Sequence, residues 1–284
     1  MRIERFDDPV PFFDRVGEFL GRDEALHSLL LGFRGPLGRN LHYYGDEDPY
    51  LAVLLDGDDV VTVAVRTPPH NLMLSRATDA AVDALVDALA AAGAELPGVG
   101  GPSAGSDRFA SRWAAATGVT ARLAVAELIY EATEVLPPPD VAGRMRPCLD
   151  DDRPGAVAWM KAFFAEAMPA GSPGTDAEAF VTRRLAEPGE GLVIWDDGGA
   201  VSLAGYAGPT PTGIRIGPVY TPPELRGQGY ASALTAALTE DLLARGRRSC
   251  FLSTDAANPT ANSIYQRIGY RFLGNVSRWA FDRP

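Results

Sequence analysis

The chain has 284 residues, 46% of them apolar, and a formal net charge of −11. That length accommodates two domains with a core each, and no window approaches the ~18 uninterrupted apolar residues of a membrane-spanning helix. Residues 1–142 hold 22 acidic and 11 basic side chains against 15 of each in 143–284, so the whole acidic surplus sits in the first half and argues against nucleic acid, whose binding needs a basic face.

Met1-Arg2-Ile3-Glu4-Arg5-Phe6-Asp7-Asp8 is too charged to open a signal peptide, and the expected compartment is the cytoplasm with no membrane partner. The two cysteines, Cys148 and Cys250, show no CxxC spacing, and all three histidines, His27, His42 and His70, lie in the first half. We read the cysteines as plain thiols and expect no metal.

In chain order, residues 12–20 and 24–33 carry helical periodicity, followed by two strand-like runs at 50–55 and 60–65 joined at Asp56-Gly57-Asp58-Asp59. An amphipathic helix is expected over 78–92, a Gly/Pro-rich loop over 98–105, a helix over 106–117 and a strand over 121–131. Pro137-Pro138-Pro139 then stops any helix or interior strand, so 136–142 reads as a linker between domains at 1–135 and 143–284.

The second half repeats much of that order. A short strand at 144–147 precedes helices at 153–167 and 176–185, the latter capped by Thr175 or Asp176. A hairpin follows at 192–195 and 201–207, turning on Asp196-Asp197-Gly198-Gly199. Next come a strand at 214–221, a glycine-rich turn, a helix at 231–244 and a strand at 249–253. Pro218 lacks an N–H and reads as a place where ladder pairing fails or as an ordinary edge-strand proline.

The turn is Arg226-Gly227-Gln228-Gly229-Tyr230-Ala231. Placed between strand and helix, it offers the unpaired N–H groups and partial positive charge of a helix start to a phosphate. A Walker loop is excluded because the single lysine, Lys161, lies far from it. A dinucleotide fingerprint is incomplete, since Ser232 stands at the third glycine position.

The remaining pattern, R-x-x-G-x-A, resembles the coenzyme A pyrophosphate loop of the GCN5-related N-acetyltransferase (GNAT) family. Downstream, Asn258, Tyr265, Gly269 and Tyr270 match the family's Asn, Tyr, Gly and aromatic positions in order and spacing. The resemblance covers about the last 140 residues. It implies an α+β, mixed α/β fold of tandem GNAT-like domains, each a mostly antiparallel sheet flanked by helices, with the first domain degenerate because it lacks the motif.

The same resemblance implies an acetyl-CoA-dependent transfer of an acetyl group to an amine by direct attack on the thioester. Val219, Tyr220 and Thr221 would pair with the pantetheine arm like an added strand. Gly227, Gln228, Gly229, Tyr230, Ala231 and Ser232 would surround the pyrophosphate. Arg226 would either brace that loop or approach a phosphate. Asn258 is read as a coenzyme contact or a cap, and Tyr265 as the acid that protonates the departing thiolate.

A general base is harder to place. Relatives often carry Glu where this chain has Ser253, which leaves a water-mediated route, Glu166, or no base at all. The acceptor is expected to be a small-molecule or protein amine, with residues 168–174 as a wall of its pocket or a plain connector. Neither the acceptor nor the oligomeric state is set by the sequence. A non-catalytic acyl-CoA-binding sensor or interaction module stands as the alternative, and O-acetylation or longer acyl groups also fit the loop.

Overall fold

The structure, a computed structural model, describes residues 1–136, 138, 140–167 and 176–282. The chain divides into two compact units. Unit 1 comprises Met1–Ile129, Asp255–Ala257 and Leu273–Pro284; unit 2 comprises Tyr130–Thr254 and Asn258–Phe272. The chain thus leaves unit 1 at mid-length and returns to it with its last strand.

Unit 1 contains β1 (Arg2–Phe6), α1 (Pro9–Gly21), α2 (Ser28–Gly32), α3 (Arg34–Arg39), β2 (Tyr50–Asp56), β3 (Asp59–Arg66) and β4 (Leu72–Leu74). These are followed by α4 (Asp79–Ala91), β5 (Gly98–Pro102), α5 (Ser103–Thr117) and β6 (Thr120–Ala132), whose last residues count with unit 2. Both faces of the sheet are covered, and the run Leu51-Ala52-Val53-Leu54-Leu55 shows why. Alternate side chains point to opposite faces: Leu51, Val53 and Leu55 pack with Phe12, Phe13, Val16 and Leu20 of α1, while Ala52 and Leu54 join Val82, Leu85, Phe109 and Trp113 of α4 and α5. A fully buried Leu of this kind stabilises by about 1.5–3 kcal/mol.

Two local readings change, and one element is found where none was expected. The helix expected over 24–33 becomes a turn followed by α2 and α3, because Gly32, Gly35 and Pro36 interrupt a continuous helix. The expected loop at 98–105 contains a strand, β5, and the start of α5. Its glycines are there because neighbours come close: a Cβ on Gly98 would run into the Trp279 carbonyl, and Gly101, at φ +149°, would meet Leu74 O at 2.5 Å. The added element is at the N-terminus, where the charged run Arg2–Phe6 is a strand paired antiparallel to β2.

Unit 2 contains β7 (Arg144–Pro147), α6 (Arg153–Ala167), α7 (Ala177–Ala186), β8 (Gly191–Asp196), β9 (Ala200–Ala207), β10 (Gly213–Tyr220), α8 (Tyr230–Ala244), β11 (Ser249–Asp255) and α9 (Pro259–Arg267). Asp176 caps α7, its carboxylate accepting Ala179 N–H at 3.1 Å; Thr175 and the 168–174 segment lie outside the described residues. Val157, Met160 and Val181 from α6 and α7 pack on Leu192, Ile194 and Leu203.

The two units repeat one strand plan. In unit 1 the order β1-β2-β3-β4-β5 is antiparallel at each step until β4 and β5, which are parallel. In unit 2 the order β7-β8-β9-β10-β11 is antiparallel until β10 and β11, again parallel. The last strand, β12 (Arg271–Asp282), runs antiparallel to β5, from Val276↔Pro102 to Ala280↔Gly98.

Candidate functional site

The parallel pairing of β10 with β11 in unit 2 is short. It runs from Gly213↔Ser249 to Arg215↔Phe251 and no further. On its other edge β10 stays with β9, but the register shifts between Ile216↔Tyr206 and Val219↔Ala204. That shift falls on Gly217-Pro218, where Pro218 has no N–H to give and Gly217 sits at φ +146°. Residues 216–220 therefore have a strand on one side and an opening toward β11 on the other, among the described residues.

Past this opening the chain enters the glycine turn. A short 3₁₀ turn at Pro223–Leu225 precedes it, with Leu225 N–H on Pro222 O (2.9 Å) and Arg226 N–H on Pro223 O (3.3 Å). Gly227 and Gly229 both take left-handed backbone, φ +81° and +86°, which only glycine adopts without strain. Gly229 is the N-cap of α8, and Ala233 N–H is the first to bond back, onto Gly229 O at 3.0 Å. None of the N–H groups of Gly227, Gln228, Gly229, Tyr230, Ala231 and Ser232 has an acceptor among the described residues. A run of outward backbone donors at a helix start is an anion-binding nest.

Two side chains flank the nest. Arg226 donates from Nε to Thr221 O (2.9 Å) and from one terminal nitrogen to both Glu166 oxygens (2.8 and 3.1 Å). Glu166 also receives the Tyr220 hydroxyl at 3.4 Å. Burial and the Glu166 charge lift the Tyr220 phenol above its ordinary value. Ser202 donates to Tyr220 O (3.0 Å) and lies 2.9 Å from Thr221 Oγ1. The carbonyls of Tyr220 and Thr221 thus already have partners.

At the other end, the Tyr230 ring is buried and its hydroxyl donates to Asp197 Oδ2 at 2.8 Å, with Gln228 Oε1 at 3.3 Å. The hydrogen bond to Asp197 and the loss of solvent raise its pKa. Tyr230 therefore faces the β8–β9 turn, and only its main chain is presented to the nest. Asp197 and Ser202 carry no signal in the sequence that ties them to the glycine turn.

Asn258 is the N-cap of α9, its Oδ1 accepting Ala261 N–H at 3.0 Å. Tyr265, seven residues on, is partly buried and stacks edge-to-face on Tyr270 with centroids 6.0 Å apart. The Tyr270 hydroxyl is engaged with Thr239 Oγ1 at 2.7 Å, whereas the Tyr265 hydroxyl has no hydrogen-bond partner among the described residues. Desolvation pushes the Tyr265 phenol up to about 12.

A family profile described as "FR47-like protein" matches residues 199–280, which span the β9–β12 segment and the whole glycine turn. Among solved structures, the GCN5-related N-acetyltransferase from Sphaerobacter thermophilus aligns at TM-score 0.62 and 19% identity, covering 99% of this chain and 96% of that one. A GNAT acetyltransferase from Colwellia psychrerythraea aligns at TM-score 0.57 and 13% identity over 99% and 100% of the two chains. A tandem GNAT protein from the clavulanic acid biosynthesis pathway aligns at 0.53 and 13% over 100% and 99%.

The chain has the GNAT fold. No match was found among curated protein sequences. The alignment to a tandem GNAT protein over the full length agrees with the repeated strand plan of units 1 and 2. In unit 1 the connection equivalent to the glycine turn is only Ser75–Thr78, between β4 and α4. Two of its donors are used: Ser75 N–H bonds Val63 O (2.9 Å), and Arg76 N–H bonds His27 Nε2 (3.0 Å). His27 Nδ1, 3.0 Å from Leu20 O, must carry the ring proton. Unit 1 of this GNAT fold has no left-handed glycine at that position among the described residues.

Proposed function

We propose that the chain is an acetyl-CoA-dependent N-acetyltransferase working through unit 2, with a small-molecule or protein amine as acceptor. The observation that carries this reading is the acceptor-free donor run Gly227–Ser232, set directly after the point where β10 and β11 part. The run fits a pyrophosphate, and the opening fits an extended arm laid beside residues 219–221. Bound acetyl-CoA supplies a thioester carbonyl for attack by the amine.

The chain's own residues then divide the work. Gly227, Gln228, Gly229, Tyr230, Ala231 and Ser232 hold the anion through main-chain N–H groups, and Asn258 fixes the start of α9. Tyr265 would offer its unpartnered hydroxyl as the proton donor to the leaving thiolate. The proton lost by the amine balances the one gained by the thiolate. The match to the FR47-like profile and the GNAT fold support this assignment.

Calorimetric titration of acetyl-CoA tests it. The expected result is one molecule bound per chain, since the connection in unit 1 lacks the left-handed glycines, with binding lost in Gly229→Glu. Any side chain there is strained by φ +86°, and its Cβ meets Val141 Cγ2 at 3.0 Å. Absence of binding to the wild type refutes the reading.

A further inference from the structure

The nest is a run of main chain between two left-handed glycines, the most permissive backbone available. Its donors converge on one anion only if something outside the loop fixes its ends. Both ends are fixed by carboxylates from elsewhere in unit 2. Arg226 enters the loop tied to Glu166 of α6 at 2.8 Å and to Thr221 O at 2.9 Å. Tyr230 leaves it tied to Asp197 of the β8–β9 turn at 2.8 Å.

The Asp197 end is rigidly mounted. Asp197 N–H bonds Gly199 O at 2.9 Å, and Asp196 Oδ1 accepts Gly199 N–H at 3.1 Å. Asp196 Oδ2 takes Arg146 Nε at 2.7 Å, and Arg146 reaches Asp152 through two further hydrogen bonds of 2.6 and 2.9 Å. This half-buried Asp152–Arg146–Asp196 chain ties the turn to β7 and the start of α6. The hydrogen bonds from Arg146 hold both carboxyls below their ordinary range. Tyr230 has a single proton, which goes to Asp197. The Gln228 amide, 3.3 Å away, then serves best with its nitrogen turned to the phenol oxygen.

Charge completes the argument. Arg226 is neutralised by Glu166, and Asp197 adds a negative charge beside the loop, so neither flanking pair offers net positive charge to a phosphate. Their contribution is geometric. We propose that Asp197 and Glu166 are positioning residues for the donor site: acting through Tyr230 and Arg226, they hold the Gly227–Ser232 donors in a shape that accepts a pyrophosphate. This rests on the acetyl-CoA reading of the nest and extends it to residues that touch no ligand.

The test compares two donors, acetyl-CoA and S-acetylpantetheine, which lacks the pyrophosphate. Dissociation constants are measured for the wild type, Tyr230→Phe, Asp197→Ala and Glu166→Ala, and thermal unfolding is followed without ligand. Loss of one charge-assisted tie is expected to weaken acetyl-CoA binding about tenfold, with Tyr230→Phe plus Glu166→Ala near a hundredfold because the ties sit at opposite ends. S-acetylpantetheine binding should stay within twofold, and Glu166→Gln, which can still accept from Arg226, should recover part of the loss. The Tyr230→Phe change keeps the ring packing and position 166 is exposed, so unfolding midpoints should move little. Acetyl-CoA affinity unchanged in all single variants overturns the proposal while leaving the function standing. Equal losses for both donors also overturn it, since the effect would then lie outside the pyrophosphate loop. A wild type that binds neither donor overturns both this proposal and the functional reading beneath it.

Discussion

Tyr265→Phe is the sharpest single test of the chemistry, because the structure separates its effect on rate from its effect on stability. The ring makes an edge contact with Tyr270 that phenylalanine keeps, and the hydroxyl has no partner among the described residues to lose. Stability should therefore hold or rise slightly, since a partly buried, unpaired hydroxyl costs free energy. For the rate, a phenol at about 12 facing a thiol with an ordinary value of ~8.5 makes complete proton transfer uphill by roughly 5 kcal/mol. On the proposed function Tyr265 would therefore serve chiefly as a hydrogen-bond donor to developing negative charge, a role worth about 10²-fold in kcat, or roughly 2.7 kcal/mol. The assay is release of free thiol from acetyl-CoA with an amine acceptor found by screening, paired with calorimetry and thermal unfolding. Kd for acetyl-CoA should stay within twofold while kcat falls. The wild-type rate should show no ionisation of this phenol below about pH 11. A kcat within threefold of wild type with binding intact would refute the assignment, and a drop in stability would show that the hydroxyl is structural.

Two further outcomes follow from unit 1. His27 is buried, with both ring nitrogens in hydrogen bonds and its pKa below 6.5, chiefly from desolvation. Above pH 6.5 it is neutral in both folded and unfolded chains and has no effect; as pH falls below that, only the unfolded chain takes up the proton. Stability should then decline by up to ~1.4 kcal/mol per pH unit until the folded pKa is reached. Denaturant titrations between pH 7.5 and 5 check this, and an unchanged slope in His27→Gln would remove His27 as the cause. A fragment of residues 143–284 should lack cooperative thermal unfolding, because β12 loses β5, its partner from Val276 to Ala280, and Phe281 loses the unit 1 core. A sharp two-state transition for that fragment would contradict the pairing.

What could be read from the sequence is what is local in it. The nest lies within one short stretch, and each feature that makes it has a residue signature: proline at the register shift, glycine at the left-handed positions, a helix beginning beside them. Asn258 and Tyr265 are legible through the resemblance to the GNAT family, whose Asn and Tyr positions they match. β5 escaped notice because Gly98-Val99-Gly100-Gly101-Pro102 has loop composition, and what makes it a strand is the crowding by Asn71, Met73, Leu74 and Trp279. The Asp197 and Glu166 ties escaped for a related reason. Asp197 lies 33 residues from Tyr230, and Glu166 lies 60 from Arg226. An aspartate in a hairpin turn and a glutamate near a helix end look the same in sequence whether or not they hold a distant loop.

The repeat makes the distinction concrete. Units 1 and 2 share strand order and direction, so the sheet alone does not make a donor site. They differ at the connection after the fourth strand. In unit 2 it is long enough to hold the left-handed glycines and leaves its donors open. In unit 1 it is four residues, Ser75–Thr78, and folds onto Val63 and the His27 ring. His27 fills by a side chain the role an anion would play in unit 2, accepting a backbone N–H near the start of the helix. Opening the connection in unit 1 would break the Arg76 N–H bond to His27 Nε2 and leave that buried ring nitrogen without its donor. What differs between the two connections is therefore their length, their left-handed glycines and one imidazole, and not the sheet.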